Sequence, residues 1–463
     1  MSVESRPRLL LADDNLRAVG GHFFELASLW ADAGRQAGRE VTVATHQSFR
    51  PPESSAAGSD ASRHILPPVR WLPTFATHRL VRWSLGVDGR SELPRDLAGN
   101  PMHRPVAAWW TDRMRRSLHP KSQQPTVMLD QWATDFHQCI KTFAPSVNDH
   151  VVVNTCDDFT ALAVAAAIVR LPPQPRFPLH LVFHFAVDGD RQTQRRKDYL
   201  AQQIRPAINV LSRQRLRLHA TTEALADQLN RVDLGAPVSE VPYPTRLAEL
   251  RSGGSSVPKC PLRVALAGSP RAEKGRRAIG TLLTSIDQKL LQTGRLQLAI
   301  QLPSKQWRRT IPSSLREDVD QAIQHPSPRD RLQIQTSDLS TSDYHTWLDT
   351  ADVGLFLYDP NRYGVRCSGV LLEMLARGVP VIVPDHCWLA DQVRLGTRWA
   401  KSPVGVIYSD RNDIPGILSR LDQEFLALRR SCLTYAANIR RRHHPRHSLA
   451  TLGVTDKYHR KVA

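Results

Sequence analysis

The stretch Ala351–Pro384, ADVGLFLYDPNRYGVRCSGVLLEMLARGVPVIVP, constrains the fold more than any other part of the chain. It opens on an unbroken apolar run, Val353–Tyr358, which predicts a buried strand. A loop of turn formers follows, from Asp359 to Gly364. The segment from about Gly369 to Arg377 predicts an amphipathic helix with Leu371, Leu372 and Leu375 on its apolar side. Gly378 suits a left-handed C-cap. The β-branched run Val379–Val383 predicts a second strand. Strand, loop, helix and strand in roughly 30 residues make a βαβ crossover. Such a unit belongs to a parallel sheet, and its loop and helix start lie at the carboxyl end of that sheet, where open α/β proteins bind ligands. The N–H groups of Ser368, Gly369 and Val370 point out of the helix N-terminus and favour an anion. Glu373, one turn further on, is placed to accept hydrogen bonds from sugar hydroxyls; a solvated helix residue is the ordinary alternative. Together these features suggest a site for a nucleotide diphosphate.

This stretch resembles the donor-binding segment of the retaining GT-B glycosyltransferases, glycosyltransferase family four (the group 1 glycosyltransferases) in particular. Glu373 matches the second of that family's two glutamates, while Val365 stands where the family has the first. The resemblance implies an α/β chain of GT-B architecture, two Rossmann-like parallel-sheet domains facing a cleft, with the donor held by the second. Further matches follow chain order. Gly20-Gly21, between a strand Arg8–Ala12 and a helix from His22 to about Ala37, looks like the family's glycine pair under the donor phosphates. A tight turn is the ordinary reading of such a pair. His184, near the end of a strand Leu179–Phe185, matches by element order a histidine that faces the transferred sugar. His180, on the same strand face, competes with it, and a core histidine bonded to backbone is the alternative for either. Lys274-Gly275 aligns with the family's diphosphate-clamping Lys-Gly. The clamping arginine's place is taken by Ser269, and Arg271 sits two residues later in the same loop. Leu339, within Asp338-Leu339-Ser340, resembles the family's base-contacting loop.

The chain has 463 residues, too many for one ordinary core, so two domains are the natural expectation. The Ser/Gly-rich composition of 251–258 marks a flexible linker between an N-terminal domain over 1–250 and a domain over 259–440, which the resemblance makes the nucleotide-sugar-binding one. The resemblance implies that the basic tail over 441–463 crosses back toward the first domain; a solvated face or an anionic-lipid contact is the alternative for its basic run. With 62 Lys and Arg against 44 Asp and Glu, the formal charge is +18, which implies an anionic partner: a nucleotide sugar, a nucleic acid or an anionic membrane. The six cysteines are scattered without a C-x-x-C pair and read as reduced thiols of a cytosolic protein. The apolar run Leu9–Ala12 is too short for the core of a signal peptide, and Ala161–Val169 falls far short of a bilayer span. Any membrane contact is therefore expected to be peripheral.

Residues 48–125 form an irregular insert in which Trp71, Trp83, Trp109 and Trp110 are interleaved with arginines. An acceptor site, a membrane patch and a nucleic-acid platform all fit that mixture; so does a small packed subdomain with solvated arginines. Asp157-Asp158 follows the strand His150–Val153. With no third ligand at helical or loop spacing, a charge effect at a helix N-terminus accounts for it better than a metal. Two helices, Ile414–Arg429 and Ser431–Arg442, are expected near the end.

The expected activity is transfer of a sugar from a nucleotide-diphosphate donor with retention of configuration. No cofactor is expected, since the nucleotide sugar is a substrate, and the resemblance implies that no metal is needed. The resemblance assigns Lys274, Arg271 and the Ser368–Val370 amides to the diphosphate, Glu373 to the ribose, and Gly20, Gly21 and His184 to the reacting end. The acceptor is left as a glycan, a lipid or a small molecule, and no specific nucleic acid is expected. The competing readings are a catalytically degenerate GT-B binding module, a sugar-nucleotide epimerase, and a nucleic-acid binder motivated by the charge.

Overall fold

Strands covered by helices on both faces are buried along their whole length instead of alternating. This chain supplies such strands repeatedly: all seven residues of His150–Cys156 and all six of Pro178–Phe183 are buried. The computed structural model describes residues 6–51, 68–77, 125–172, 176–185, 204–246, 261–268, 271–286, 294–302, 307–324, 331–337 and 339–455. They fall into two compact units, residues 1–244 with 445–463, and residues 245–444. The segment read as a linker, 251–258, lies outside the described residues, as do Trp83, Trp109, Trp110, Ser269 and Asp338.

In the first unit the strands are β1 (Arg8–Ala12), β2 (Glu40–His46), β3 (Arg70–Phe75), β4 (His150–Cys156), β5 (Pro178–Phe183), β6 (Arg215–Ala220) and β7 (Val238–Glu240). They form one parallel sheet in the order β3-β2-β1-β4-β5-β6-β7, so the winding reverses between β1 and β4. Helices α1 (Gly21–Gln36), α2 (Pro125–Phe143), α3 (Asp158–Val169) and α4 (Glu223–Val232) connect them. Half-buried Trp71 packs on Phe24 and Phe49 in this unit, 6.2 and 5.0 Å between ring centres.

The second unit holds β8 (Leu262–Leu266), β9 (Leu296–Gln301), β10 (Leu332–Gln335), β11 (Val353–Leu355), β12 (Val381–Pro384) and β13 (Gly405–Tyr408). Their parallel order is β10-β9-β8-β11-β12-β13, with the reversal between β8 and β11. Its helices include α5 (Arg276–Ser285), α6 (Arg316–Gln324), α7 (Thr341–Asp349), α8 (Pro360–Tyr363), α9 (Gly369–Ala376), α10 (Trp388–Ala400) and α11 (Ile414–Arg442). A last helix, α12 (Pro445–Leu452), belongs to the first unit: the Trp30 indole of α1 donates to the buried Ser448 hydroxyl at 3.0 Å. Among the described residues no helix is long and apolar enough to cross a membrane.

Four expectations are corrected. The strand expected over Val353–Tyr358 ends at Leu355, because the chain then turns toward the loop after β8, where Asp359 N donates to Glu273 O at 2.9 Å. The turn-former stretch contains a helical turn, α8, capped by the Asp359 carboxylate and started by Pro360. The two helices expected over 414–442 are one helix of 29 residues; Arg430, at the supposed break, is a good helix former with no glycine or proline near it. The strand beginning at His150 continues through Cys156, so Asn154 and Thr155 lie on the sheet.

Candidate functional site

Each sheet reverses its winding once, and the crevice outside the carboxyl ends at such a point is the usual ligand site of an open α/β sheet. In the second unit this places the loop after β8 beside the segment between β11 and α9. The two meet at Gly268: a Cβ built there would lie 3.1 Å from Lys274 Nζ and 3.4 Å from Val370 Cγ2. The lysine of the Glu-Lys-Gly turn and the start of the Ser-Gly-Val helix therefore open onto one surface.

Local chemistry explains why the chain folds this way. Arg271 begins a tight 3-10 turn, Ala272–Lys274, and Gly275 ends it with φ 81°. A Cβ on Gly275 would stand 2.2 Å from Leu357 O, so only glycine lets the turn lie against the backbone after β11. Lys274 Nζ sits over the Tyr358 ring, 5.4 Å from its centre, and Tyr363 packs on Tyr358 at 4.4 Å. Burial, more than any neighbour, raises both phenols: Tyr363 is pushed up to about 12, and Tyr358 is raised with it. Tyr358 is thus neutral, and the ring face under the ammonium is an uncharged π surface.

Ser368 is buried and caps α9, its hydroxyl accepting from Leu371 N at 3.3 Å. Gly369 and Val370 are the first two helical residues, and their N–H groups have no carbonyl within the helix to reach. Glu373, half-buried on the next turn, accepts from the Tyr344 hydroxyl of α7 at 3.1 Å. Arg377 ties the same two helices: its Nε donates to Asp349 Oδ1 at 2.7 Å and its Nη1 to Glu373 O at 3.1 Å. Leu339 lies just before α7, whose cap is the Ser340 hydroxyl. Arg271 stands apart, its side chain 62% exposed and 4.0 Å from Glu273.

The first unit has its own cluster at the reversal between β1 and β4. Gly20 and Gly21 have φ 90° and 74°, with open space where a Cβ would project. His22, next in α1, lies 6.2 Å from Tyr243, which meets His184 edge-on at 5.9 Å. His184, just past β5 and buried, donates from Nε2 to Asn154 O at 2.7 Å. Its competitor His180 is fully buried between His150 and His219. Asp157 caps α3, accepting from Thr160 N at 2.8 Å.

Sequence reasoning missed several residues of this cluster. Asp13 follows β1 and accepts from Asn15 N at 2.9 Å and Thr155 Oγ1 at 2.9 Å. Burial above all, then the adjacent Asp14 carboxylate, pushes its carboxyl up to about 7 against those bonds. Asn154 is fully buried, and among the described residues neither of its amide atoms has a hydrogen-bond partner. These residues come from separate strands, and only the fold brings them together.

The raised Asp13 value fixes the sign of a pH effect. Between about pH 4 and pH 7 the folded protein keeps a proton that the unfolded chain releases, so stability falls as pH rises, by up to about 1.4 kcal/mol per unit. Asp13→Asn removes this dependence. Urea unfolding from pH 5 to pH 8 should show the variant gaining on wild type up to about pH 7 and then running parallel. A difference independent of pH would mean that the carboxyl ionises normally in the fold.

No family model and no curated protein matches the chain. Solved structures do. Sucrose-phosphate synthase from Thermosynechococcus elongatus aligns with TM-score 0.57 and 13% identity over 97% of this chain and 98% of that one. A UDP-forming α,α-trehalose-phosphate synthase from Burkholderia xenovorans aligns with TM-score 0.53 and 13% identity over 97% and 98%. Anabaena HepE in complex with UDP gives TM-score 0.53 and 11% identity over 96% and 98%. At these identities the likeness shows the fold: the chain has the two parallel-sheet α/β domains of GT-B glycosyltransferase structures.

Proposed function

We propose that the protein is a nucleotide-sugar-dependent glycosyltransferase that works without a metal and retains anomeric configuration. The observation that carries this reading is the approach of Lys274 Nζ and the α9 start to one glycine at the β8/β11 reversal. There an ammonium and the free N–H groups of Gly369 and Val370 provide for a diphosphate from two directions. The Lys274 ammonium neutralises charge as the phosphate departs, a preorganised electrostatic effect. Glu373, already a hydrogen-bond acceptor for Tyr344, takes ribose hydroxyls. Arg271 reaches the phosphates from its exposed loop position, and Leu339 lies toward the base. Gly20, Gly21 and His184 serve the reacting end. Uridine diphosphate is the first candidate nucleotide, because one protein of similar fold is in complex with UDP and another is UDP-forming. The acceptor is a glycan, a lipid or a small molecule, and a peripheral membrane contact is compatible with the positive charge.

The test is a thermal-shift series with the diphosphates of uridine, guanosine and adenosine. One nucleotide should raise the melting temperature well above the others, and Glu373→Gln should cost that nucleotide about tenfold in affinity, the worth of a charged hydrogen bond. Equal, salt-sensitive responses to all three would reduce the site to a basic surface.

A second reading, a GT-B module that binds the nucleotide without turnover, is favoured by Val365. This half-buried apolar residue stands where the resembled family has its donor-sugar carboxylate. Tight nucleotide binding with no release of diphosphate from any donor sugar would select it.

A further inference from the structure

The first unit carries a second basic site, at the amino ends of its strands. An open pocket of about 760 Å³ there is lined by Arg6, Arg39, Arg215, Arg217, Asp149 and His150, among others. The sheet register explains the grouping. Arg215 and Arg217 share one face of β6, and on β5 their partners are Pro178 and His180. His150 starts β4 beside them.

Among the described residues that line it, four guanidiniums face one carboxylate. Arg215 donates to Val147 O, and Arg217 Nη1 donates to Leu452 O at 3.3 Å. Backbone carbonyls orient a guanidinium without cancelling its charge. Arg39 Nη1 also reaches Asn148 O, at 3.4 Å. The carboxylate in the lining, Asp149, is already engaged by Arg8, whose Nη2 donates to it at 2.7 Å. Gly453 completes the wall: a Cβ there would fall 2.3 Å from Arg217 Nη1, so the guanidinium occupies space that any other residue would fill.

Behind the pocket runs a buried ladder of imidazoles. His150 Nδ1 shares a hydrogen bond with His180 Nε2 at 3.0 Å, and His180 Nδ1 shares one with His219 Nε2 at 3.2 Å. Ser239 Oγ meets His219 Nδ1 at 3.1 Å on the edge strand β7. Burial and the nearby arginines keep the rings neutral: His150 and His219 are lowered to about 4, and His180 is lowered too. A neutral imidazole has one N–H, so all the links must point the same way. When Ser239 donates into His219, the run ends with His150 Nε2 as a donor at the pocket wall. An anion in the pocket favours that direction over its reverse.

We infer that this pocket binds the phosphoryl group of a small molecule, held by Arg6, Arg39, Arg215 and Arg217 with His150 Nε2–H as a neutral donor. Guanidinium forks match phosphate oxygens two at a time. The volume lies in the range of small-ligand sites and leaves room for the rest of the molecule. The inference does not rest on the nucleotide site of the second unit.

Inorganic pyrophosphate is the probe, titrated by calorimetry at about 0.15 M salt, where exposed charges are largely screened. Lys274→Ala provides the background, so that the second unit's site is weakened. This variant should still bind pyrophosphate. Adding Arg215→Ala and Arg217→Ala should weaken that binding at least tenfold. Unchanged affinity would overturn the inference. So would binding of duplex DNA or phosphatidylserine vesicles that pyrophosphate fails to displace and that falls with the same substitutions. In case the arginine variants fold poorly, wild type gives a separate readout: the ring nitrogens of His150, identified with His150→Gln, should shift on adding pyrophosphate. Resonances that stay in place would be equally fatal.

Discussion

Lys274→Ala should abolish sugar transfer and weaken uridine diphosphate binding between about tenfold and a hundredfold, the range set by losing a hydrogen bond to a charged group. The ammonium is held beside Gly268 by the tight turn and rests over the neutral Tyr358 ring, so it arrives at the phosphate already oriented. Its removal leaves the fold untouched, because the lysine side chain fills no core position. The measurement pairs diphosphate release from a donor sugar with nucleotide affinity. Turnover equal to wild type would remove the clamp from the proposal. A loss of turnover with affinity preserved would instead give Lys274 a role confined to the departing charge. Arg271→Ala should do far less, because that side chain is mostly solvated.

Gly275→Ala should destabilise the second unit by about 3 kcal/mol or more. One part is backbone strain, of order 1–3 kcal/mol for a non-glycine residue held left-handed. The other is collision, because the new methyl would meet the Leu357 carbonyl oxygen at 2.2 Å. The backbone around Leu357 is buried and has little room to yield. For a unit of this size the melting temperature should fall by roughly 6–12 °C. Calorimetry of the whole chain should show this loss in one transition and leave the other in place. Nucleotide binding should weaken as well, since the displaced turn carries Lys274. A variant as stable as wild type would show that the turn does not pack against the backbone after β11 in solution.

Much of the second unit was legible because its signals are local. The βαβ stretch carries its own strand runs, its apolar helix face and its terminal glycine within a short span, and Gly378 is left-handed as expected. What was not legible depends on register and on distant pairing. Tyr358 reads as the last residue of a strand, yet it lies past the ladder and under a lysine from another loop. Tyr344 gives no sign in sequence of its bond to Glu373, 29 positions away. Asp13 and Thr155 are 142 residues apart and meet only because β1 pairs with β4. The three ladder histidines show no periodicity; parallel register alone stacks them at 5.2 and 5.4 Å. The continuous α11 is a different failure, since the sequence contained no breaker and the division at Arg430 had no physical cause.

The seat of Trp30 has a consequence for biosynthesis. The wall that closes over this indole is made by Ser448 and its helix, separated from it by 418 positions and by a whole second unit. A ribosome delivers residues in order, so the sheet translated first waits, with an apolar groove bare, until the whole of the second unit has emerged. A premature stop shortly after Arg442 would spare the later unit and cripple the earlier one, and nascent chains stalled in that window should be the ones that chaperones hold longest.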